Sequence, residues 1–344
     1  MGMRPSLALL KKGGFYGQLV ADLGVPVFEL NQKSSIDFRI SKEFVNLAKL
    51  NDCVHFQCPT PTLMIAVGRS GQVPSAYTHR GGELRVSGKR RAMHYVTGKL
   101  IARYIDAVSG NTRHAANCAR STYRLPHEEV LVTYNGIDFG LLQPKRSKEN
   151  ILRELGEDPA ATTWRIGTSA NLRKLKRVDL LIKAVANLHD KNVCCYVIGD
   201  GPARQSLQDL AIALDVSDQV KFLGMKEHIG DYLQILDGFA LLSDQAESFG
   251  NSAVEAMGLG IPTVIMANGG GMVEHFPDDC APLPKDLNQL TEHIRGWIQD
   301  REQAKQSSLR YKTHVIEKYT LENMVRSFNG FYETAQQAFR HKHP

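Results

Sequence analysis

Glu247 and Glu255 stand eight residues apart in ESFGNSAVE, where a strand is expected to hand over to a helix. The preceding GFALL (238–242) is short, apolar and bounded by polar residues, which predicts a buried strand. Residues 252–257 predict a helix, ended by GLGIP (258–262). Asn251 or Ser252 is expected to cap that helix, leaving free N–H groups and the positive end of the dipole facing the strand's carboxyl end. Phosphates bind at such places. Carboxylates do not ligate phosphate; they accept hydrogen bonds from hydroxyls. One glutamate before the helix and one a turn inside it therefore suit two separate parts of a sugar nucleotide. A capping box with a solvated helix face is the plainer alternative for this segment taken alone.

Other segments carry compatible chemistry. ANLRKLKRVDLL (170–181) puts cations in a loop between a predicted strand and a predicted helix. Arg173 can grip a diphosphate bidentately and Lys176 as a point charge, unless the loop is merely solvated. GDGP (199–202) directly after CCYVI predicts a tight turn, with Gly199 and Gly201 allowing close backbone approach and Pro202 early in a helix. NGGGM (268–272) is poor helix material and keeps the chain open beside something. His79 ends the predicted strand of PSAYTHRGG and can donate to a sugar hydroxyl, whereas His55 reads as structural. Residues 89–104 predict a helix with Met93, Val96, Leu100 and Tyr104 on one face and five cations around the rest. It is either a basic element for an anionic bilayer or an ordinary surface helix.

The elements that must position these residues alternate. Strands at 165–169, 193–198, 220–222, 239–242 and 263–266 are interleaved with helices at 178–188, 203–214, 229–236 and 287–299, which predicts βαβ units and parallel sheets. In such sheets ligands sit beyond the carboxyl ends of the strands, where the informative loops fall. The first half has a weaker rhythm, with strands at 53–57, 75–79, 107–109 and 130–133, and the polar PKRSKEN (144–150) breaks the pattern. The division is accordingly 1–143, 144–320 and a final helix within 321–344. A length of 344 residues suits two cores, and no apolar run is long enough to span a bilayer. Six scattered cysteines make neither a disulfide framework nor a metal motif, as for reduced thiols in a cytosolic protein. The net charge of +6 is uneven: residues 80–124 hold ten Lys/Arg against Glu83 and Asp106, or +8, leaving −2 elsewhere. That field favours an anionic partner. The aromatics there do not form a stacking platform, which argues against nucleic acid.

In order and spacing, TYNGID (133–138), ANLRKLK (170–176), GDGP (199–202), VKFLG (220–224), Glu247-Ser-Phe-Gly with Glu255, and GLGIPTV (258–264) resemble the retaining, nucleotide-sugar-dependent glycosyltransferases of family 4. The match runs from about Cys53 to the C-terminus and is densest from Val130 to Phe276. The resemblance implies the α/β GT-B fold, two Rossmann-like domains facing across a cleft with a C-terminal helix crossing back to the first. It implies an acceptor-side domain at 1–143, a donor domain at 144–320 and the crossing helix in 321–344. Glu247 would sit near the donor hexose, Glu255 would hold the ribose, and Ser248, Phe249, Gly250, Asn251 and Ser252 would line the sugar site. Lys176 would meet the diphosphate, His79 the donor sugar, and Gly199, Gly201, Gly224 and Met225 the base. No metal or other cofactor is implied, because cations and helix N-termini neutralise the leaving diphosphate.

Two positions depart from the family pattern. Asn171 stands where an arginine is usual, with Arg173 as its substitute from another backbone position. The chain reads as beginning inside the second βα unit, so that the first domain is incomplete and Gly13-Gly14, following no convincing strand, is not the family's Gly-Gly loop. The expected activity is transfer of a hexose from a UDP- or GDP-sugar to a glycan or lipid-linked acceptor in cell-surface polysaccharide or lipopolysaccharide synthesis. The expected location is cytoplasmic, either free or peripheral on the inner membrane face. The rivals are a silent nucleotide-sugar-binding protein and a sugar-nucleotide epimerase on the same architecture.

Overall fold

Short apolar runs separated by amphipathic stretches build parallel strands joined by helical crossovers. The computed structural model describes all residues except 1–3, 34–36, 59, 82–94, 96–97, 100–101, 126–129, 245–246, 278–279 and 281–282. Strands β1 (Leu7–Leu9) and β2 (Val27–Glu29) pair in parallel. Strands β3 (Val54–Phe56), β4 (Ser75–His79), β5 (Ala107–Gly110) and β6 (Val130–Val132) form a four-stranded parallel sheet in that order. Strands β7 (Trp164–Ser169), β8 (Val193–Ile198), β9 (Val220–Gly224), β10 (Gly238–Leu241) and β11 (Thr263–Ile265) form a second parallel sheet ordered β11-β10-β7-β8-β9.

The connecting helices are α1 (Phe15–Asp22), α2 (Arg39–Ala48), α3 (Pro61–Ser70), α4 (Arg113–Tyr123), α5 (Lys148–Glu154), α6 (Val178–Leu188), α7 (Arg204–Ala213), α8 (Ile229–Leu233), α9 (Asn251–Gly258), α10 (Leu287–Gln299), α11 (Arg301–Lys318) and α12 (Leu321–Lys342). The expected basic helix at 89–104 falls largely outside the described residues.

Strand β8 is apolar at every position because both its faces are covered. Along β8, Cys194, Tyr196 and Ile198 join one buried cluster while Val193, Cys195 and Val197 join the other. The first sheet has polar side chains near its carboxyl ends. Thr78 Oγ1 lies 2.8 Å from Ser109 Oγ, which lies 2.9 Å from Thr133 Oγ1, so one row of buried hydroxyls crosses β4, β5 and the chain after β6. His55 Nε2 extends that row at 2.8 Å from Thr78. Such cross-strand pairs hold the register of the strand ends that carry His79.

Three expectations change. A short strand, β1, does precede Gly13-Gly14, and α1 follows them; its three residues are too few to show a periodicity. The pair β1–β2 is separate from the four-stranded sheet. The polar PKRSKEN is not a loose break: the amides of Lys145 and Arg146 both donate to Asp231 Oδ1 at 2.6 and 3.0 Å, and Ser147 caps α5. The predicted helix at 229–236 ends at Leu233.

The last helix crosses back. Ile137 N donates to Tyr319 O at 2.8 Å, so the chain's two passages between the halves lie side by side. Thr320 caps α12, which lays fully buried Phe331 and Ala335 against Ala76 and Ala107 of β4 and β5. His55 sits against Phe328, Phe331 and Tyr332 of the same helix. We expect Phe331→Ala to destabilise the protein by about 3–5 kcal/mol in urea unfolding; a loss below about 1 kcal/mol would show that α12 is not held by this contact.

Candidate active site

The second sheet changes direction at β7. The chain goes from β7 to β8 and β9 on one side, then returns to β10 and β11 on the other. The loops after β7 and β10 therefore diverge around a crevice, the place where open α/β sheets bind ligands. Lys176 comes from the first loop and Glu247 from the second, and Lys176 Nζ donates to Glu247 Oε2 in an ion pair that is largely buried. Two residues 71 apart in sequence thus meet at the switch point.

Around this pair the loops are stitched together. Leu172 N donates to Asp200 O and Ala203 N to Leu172 O, so the 170–173 segment lies on the GDGP turn. Only glycine suits position 199: its φ is +118° and a Cβ would come 2.1 Å from Ala170 O. Gly201 is also in the positive-φ region, packed on Leu172 and Asn171, and Gly224 N-terminal to exposed Met225 leaves an open surface beside them. Arg173 is exposed on the same loop.

The start of α9 differs from expectation. Its N-cap is Gly250, at φ +73°, and no side chain caps the helix. A Cβ at 250 would meet Met272 Sδ at 2.6 Å, so the backbone packs too closely for Asn251 or Ser252 to take the capping role. Asn251 instead accepts through Oδ1 from Asn135 Nδ2 at 2.9 Å. Ser252 is half-buried in the first turn. The Ser248 hydroxyl is committed away from any ligand: it donates to Arg80 O at 3.1 Å and accepts from Asn111 Nδ2 at 3.2 Å. Phe249 is buried, and its side chain packs on His275 and Tyr319. Of the loop 248–252, the side chains of Ser248 and Phe249 are thus engaged within the protein. Glu255 is half-buried in α9, and desolvation raises its carboxyl above the usual range. Hydrogen-bond donors from a ligand would relieve that cost.

His79 faces this arrangement from the end of β4. It is buried, and Tyr123 Oη donates to Tyr77 Oη, which lies 3.1 Å from His79 Nδ1. With Tyr123's proton on Tyr77's oxygen, Tyr77 donates onward to Nδ1, and the imidazole proton is assigned to Nε2. His79 Nε2 is buried without a protein partner. Burial pushes the His79 pKa down to about 4, so the ring is a neutral donor at pH 7. The neighbouring Arg80 carbonyl is the one bonded by Ser248, which brings His79 and Glu247 to the two sides of one contact.

Several residues of this contact had no local signal. Glu274 takes the amides of Arg113 and His114, and His275 Nε2 bonds Phe249 O while its Nδ1 bonds Tyr319 Oη at 2.9 Å. A carbonyl only accepts, so His275 is protonated on Nε2 and accepts from Tyr319; burial pushes its pKa down to about 4. The glycines of 269–271 were a usable hint. A Cβ at Gly271 would come 1.8 Å from Ser248 O and 2.6 Å from Thr112 Oγ1.

Residues 155–313 match the family described as Glycosyl transferases group 1. That match spans a little under half of the chain and is confined to its second half. It is 26% identical over 210 residues to N-acetyl-alpha-D-glucosaminyl L-malate synthase of Bacillus anthracis, covering 60% of this chain and 54% of the relative. It is 28% identical over 212 residues to the O-antigen biosynthesis glycosyltransferase WclY of Escherichia coli, covering 60% and 56%. The chain thus spans about half the length of these curated relatives. Among solved structures, Anabaena Alr3699/HepE in complex with UDP superposes with a TM-score of 0.82 at 21% identity, covering 96% of this chain and 92% of that one. That likeness shows the fold, which is GT-B: two Rossmann-like domains.

His55, His79 and His275 all have pKa values pushed down to about 4 by burial, from 6.5. Between those values the unfolded chain takes up protons that the folded one does not, so stability falls as pH drops from about 6.5 toward 4, by up to about 1.4 kcal/mol per pH unit for each ring. Glu255, raised by burial, runs in the opposite sense. Thermal midpoints measured from pH 7.5 to 4.5 should decline, and His275→Asn should flatten the slope. A pH-independent midpoint would refute neutral burial of these rings.

Proposed function

We propose that this chain is a retaining glycosyltransferase that moves a hexose from a UDP- or GDP-sugar to a glycan or lipid-linked acceptor in cell-surface polysaccharide or lipopolysaccharide synthesis. The observation that carries the reading is the Lys176–Glu247 pair at the switch point of the second sheet. A cation and a carboxylate that already touch can exchange each other for a diphosphate and a sugar hydroxyl, so neither is left buried and uncompensated in either state. The family match of residues 155–313 supports a nucleotide-sugar donor domain in this half, and HepE, of the same fold, is solved with UDP-glucose.

In this reading Lys176 and Arg173 bind the diphosphate, the free backbone at the start of α9 adds to them, and Glu247 orients the hexose. Glu255 accepts from the ribose hydroxyls. Gly199, Gly201, Gly224 and Met225 meet the base, and His79 Nε2 donates to the donor sugar. The bond from the anomeric carbon to phosphate breaks while the bond to the acceptor oxygen forms on the same face. The acceptor proton passes to the departing diphosphate. Residues 1–143 would supply the acceptor side, 144–320 the donor side, and 321–344 the tie between them.

In this reading Lys176, Arg173 and the start of α9 neutralise the leaving diphosphate in the role a divalent ion would otherwise fill. Among the described residues no three His, Cys, Asp or Glu side chains come together as metal ligands. Among them, too, no helix is long and apolar enough to cross a membrane. We place the protein at the cytoplasmic face of a membrane, held peripherally through the basic 80–124 segment.

Glu247→Gln should lower transfer by roughly 100-fold while the protein stays folded, a loss of about 3 kcal/mol in transition-state stabilisation. Near-normal turnover would sink the assignment. UDP or GDP at about 100 times its dissociation constant should stabilise the wild type by about 2.7 kcal/mol, seen as a raised midpoint, and Glu255→Ala should remove most of that gain. A silent binding protein would show the shift without transfer. Turnover should also survive excess EDTA; dependence on added magnesium would overturn the metal-free reading.

A further inference from the structure

Helix α4 begins in the first half of the chain, yet its N-terminus is completed by the second. Thr112 Oγ1 accepts from Ala115 N at 3.0 Å, which satisfies one of the amides that have no intrahelical acceptor. The two amides before it, Arg113 N and His114 N, donate to Glu274 Oε2 and Oε1 at 2.9 and 2.7 Å. Tyr134 Oη adds a third donor to Oε2 at 3.0 Å. A carboxylate 160 residues distant thus closes the helix end, where the dipole favours negative charge.

The placement of this contact matters more than its strength. Asn111, just before α4, donates through its backbone amide to the carbonyl of His79 at 3.2 Å and through its side-chain amide to the Ser248 hydroxyl, next to Glu247. Glu274 lies in the 3₁₀ turn Gly270–His275, whose Gly271 amide donates to Glu247 O at 3.2 Å. The distance between His79 and Glu247 is therefore bounded on both sides by a segment that Glu274 ties across. Lys176, Glu255 and Gly199 all belong to the second half and do not depend on the tie.

We propose that Glu274 is a positioning residue: by capping α4 from the opposite half, it sets the spacing between His79 and the Lys176–Glu247 pair without itself touching the donor. The inference rests on the transferase reading for its kinetic consequence and on geometry alone for the latch. The test is amide hydrogen exchange and steady-state kinetics on wild type, Glu274→Ala and Glu274→Gln. In Glu274→Ala the amides of Arg113 and His114 should exchange about tenfold faster or more, while Ala115, held by Thr112, changes little. Donor KM and nucleoside diphosphate affinity should stay within about threefold, while kcat falls by roughly 100-fold, as for a displacement of reacting groups on the ångström scale. Glu274→Gln, which keeps an acceptor oxygen, should fall between the two.

Unchanged exchange at residues 113 and 114 in Glu274→Ala would overturn the latch, and faster exchange with an unchanged kcat would overturn the positioning role. A global rise in exchange would mean unfolding, and the milder Glu274→Gln would then decide by the same two readouts. Wild-type protein that binds nucleoside diphosphate but transfers no sugar would sink the transferase reading and, with it, the positioning role, while the exchange result alone would still decide the latch.

Discussion

One buried imidazole joins the parts on which the site depends. His275 is fully enclosed, donates to the carbonyl of Phe249 and accepts from Tyr319. Phe249 belongs to the loop that follows Glu247, and Tyr319 to the passage where the chain leaves the second half. A buried carbonyl deprived of its donor costs about 1–3 kcal/mol, and here the lost bond would also release the loop. The rings of Phe249, His275 and Tyr319 meet edge to face, so the polar link sits inside an aromatic cluster that excludes water. Low dielectric strengthens the link and makes the charged form of the imidazole unfavourable.

From that anchor the loop 247–252 acquires its character. Two of its side chains are taken up by structure, Ser248 by the opposite half and Phe249 by the core. The ion pair of Lys176 and Glu247 then supplies the charge. Gly250 and Gly271 are constrained by contacts under 3 Å that no larger residue could make.

The strands of the second sheet were readable from residues 165–266 nearly to the residue, because runs such as that of β8 are continuously apolar and helices such as α6 repeat their apolar positions cleanly. The positions of Glu247, Lys176 and His79 at or beyond the carboxyl ends of strands were readable too, since each sits where a predicted strand gives way to a loop. The cap of α9 was not. Asn251 and Ser252 have the right chemistry, but Met272 presses on position 250 from 22 residues away and sets the backbone there. Glu274 was equally hidden, as a carboxylate whose partners are main-chain amides leaves no complementary residue type to find. The missing Glu at the third position of α4, after Thr112, was the one local trace that its first amides seek an acceptor elsewhere.

The side-by-side passages at Ile137 and Thr320 have a mechanical meaning. Where two covalent connections run apart, each half can twist and shear against the other; where they are bonded amide to carbonyl, the pair behaves as a single axle. Gly136 allows this by lying within 3 Å, at its absent side chain, of Leu321 Cα and Thr320 O. A rotation of one half against the other about this line would move these two passages least. The far rim would sweep through the widest arc, while the backbone nearest the pivot scarcely moves.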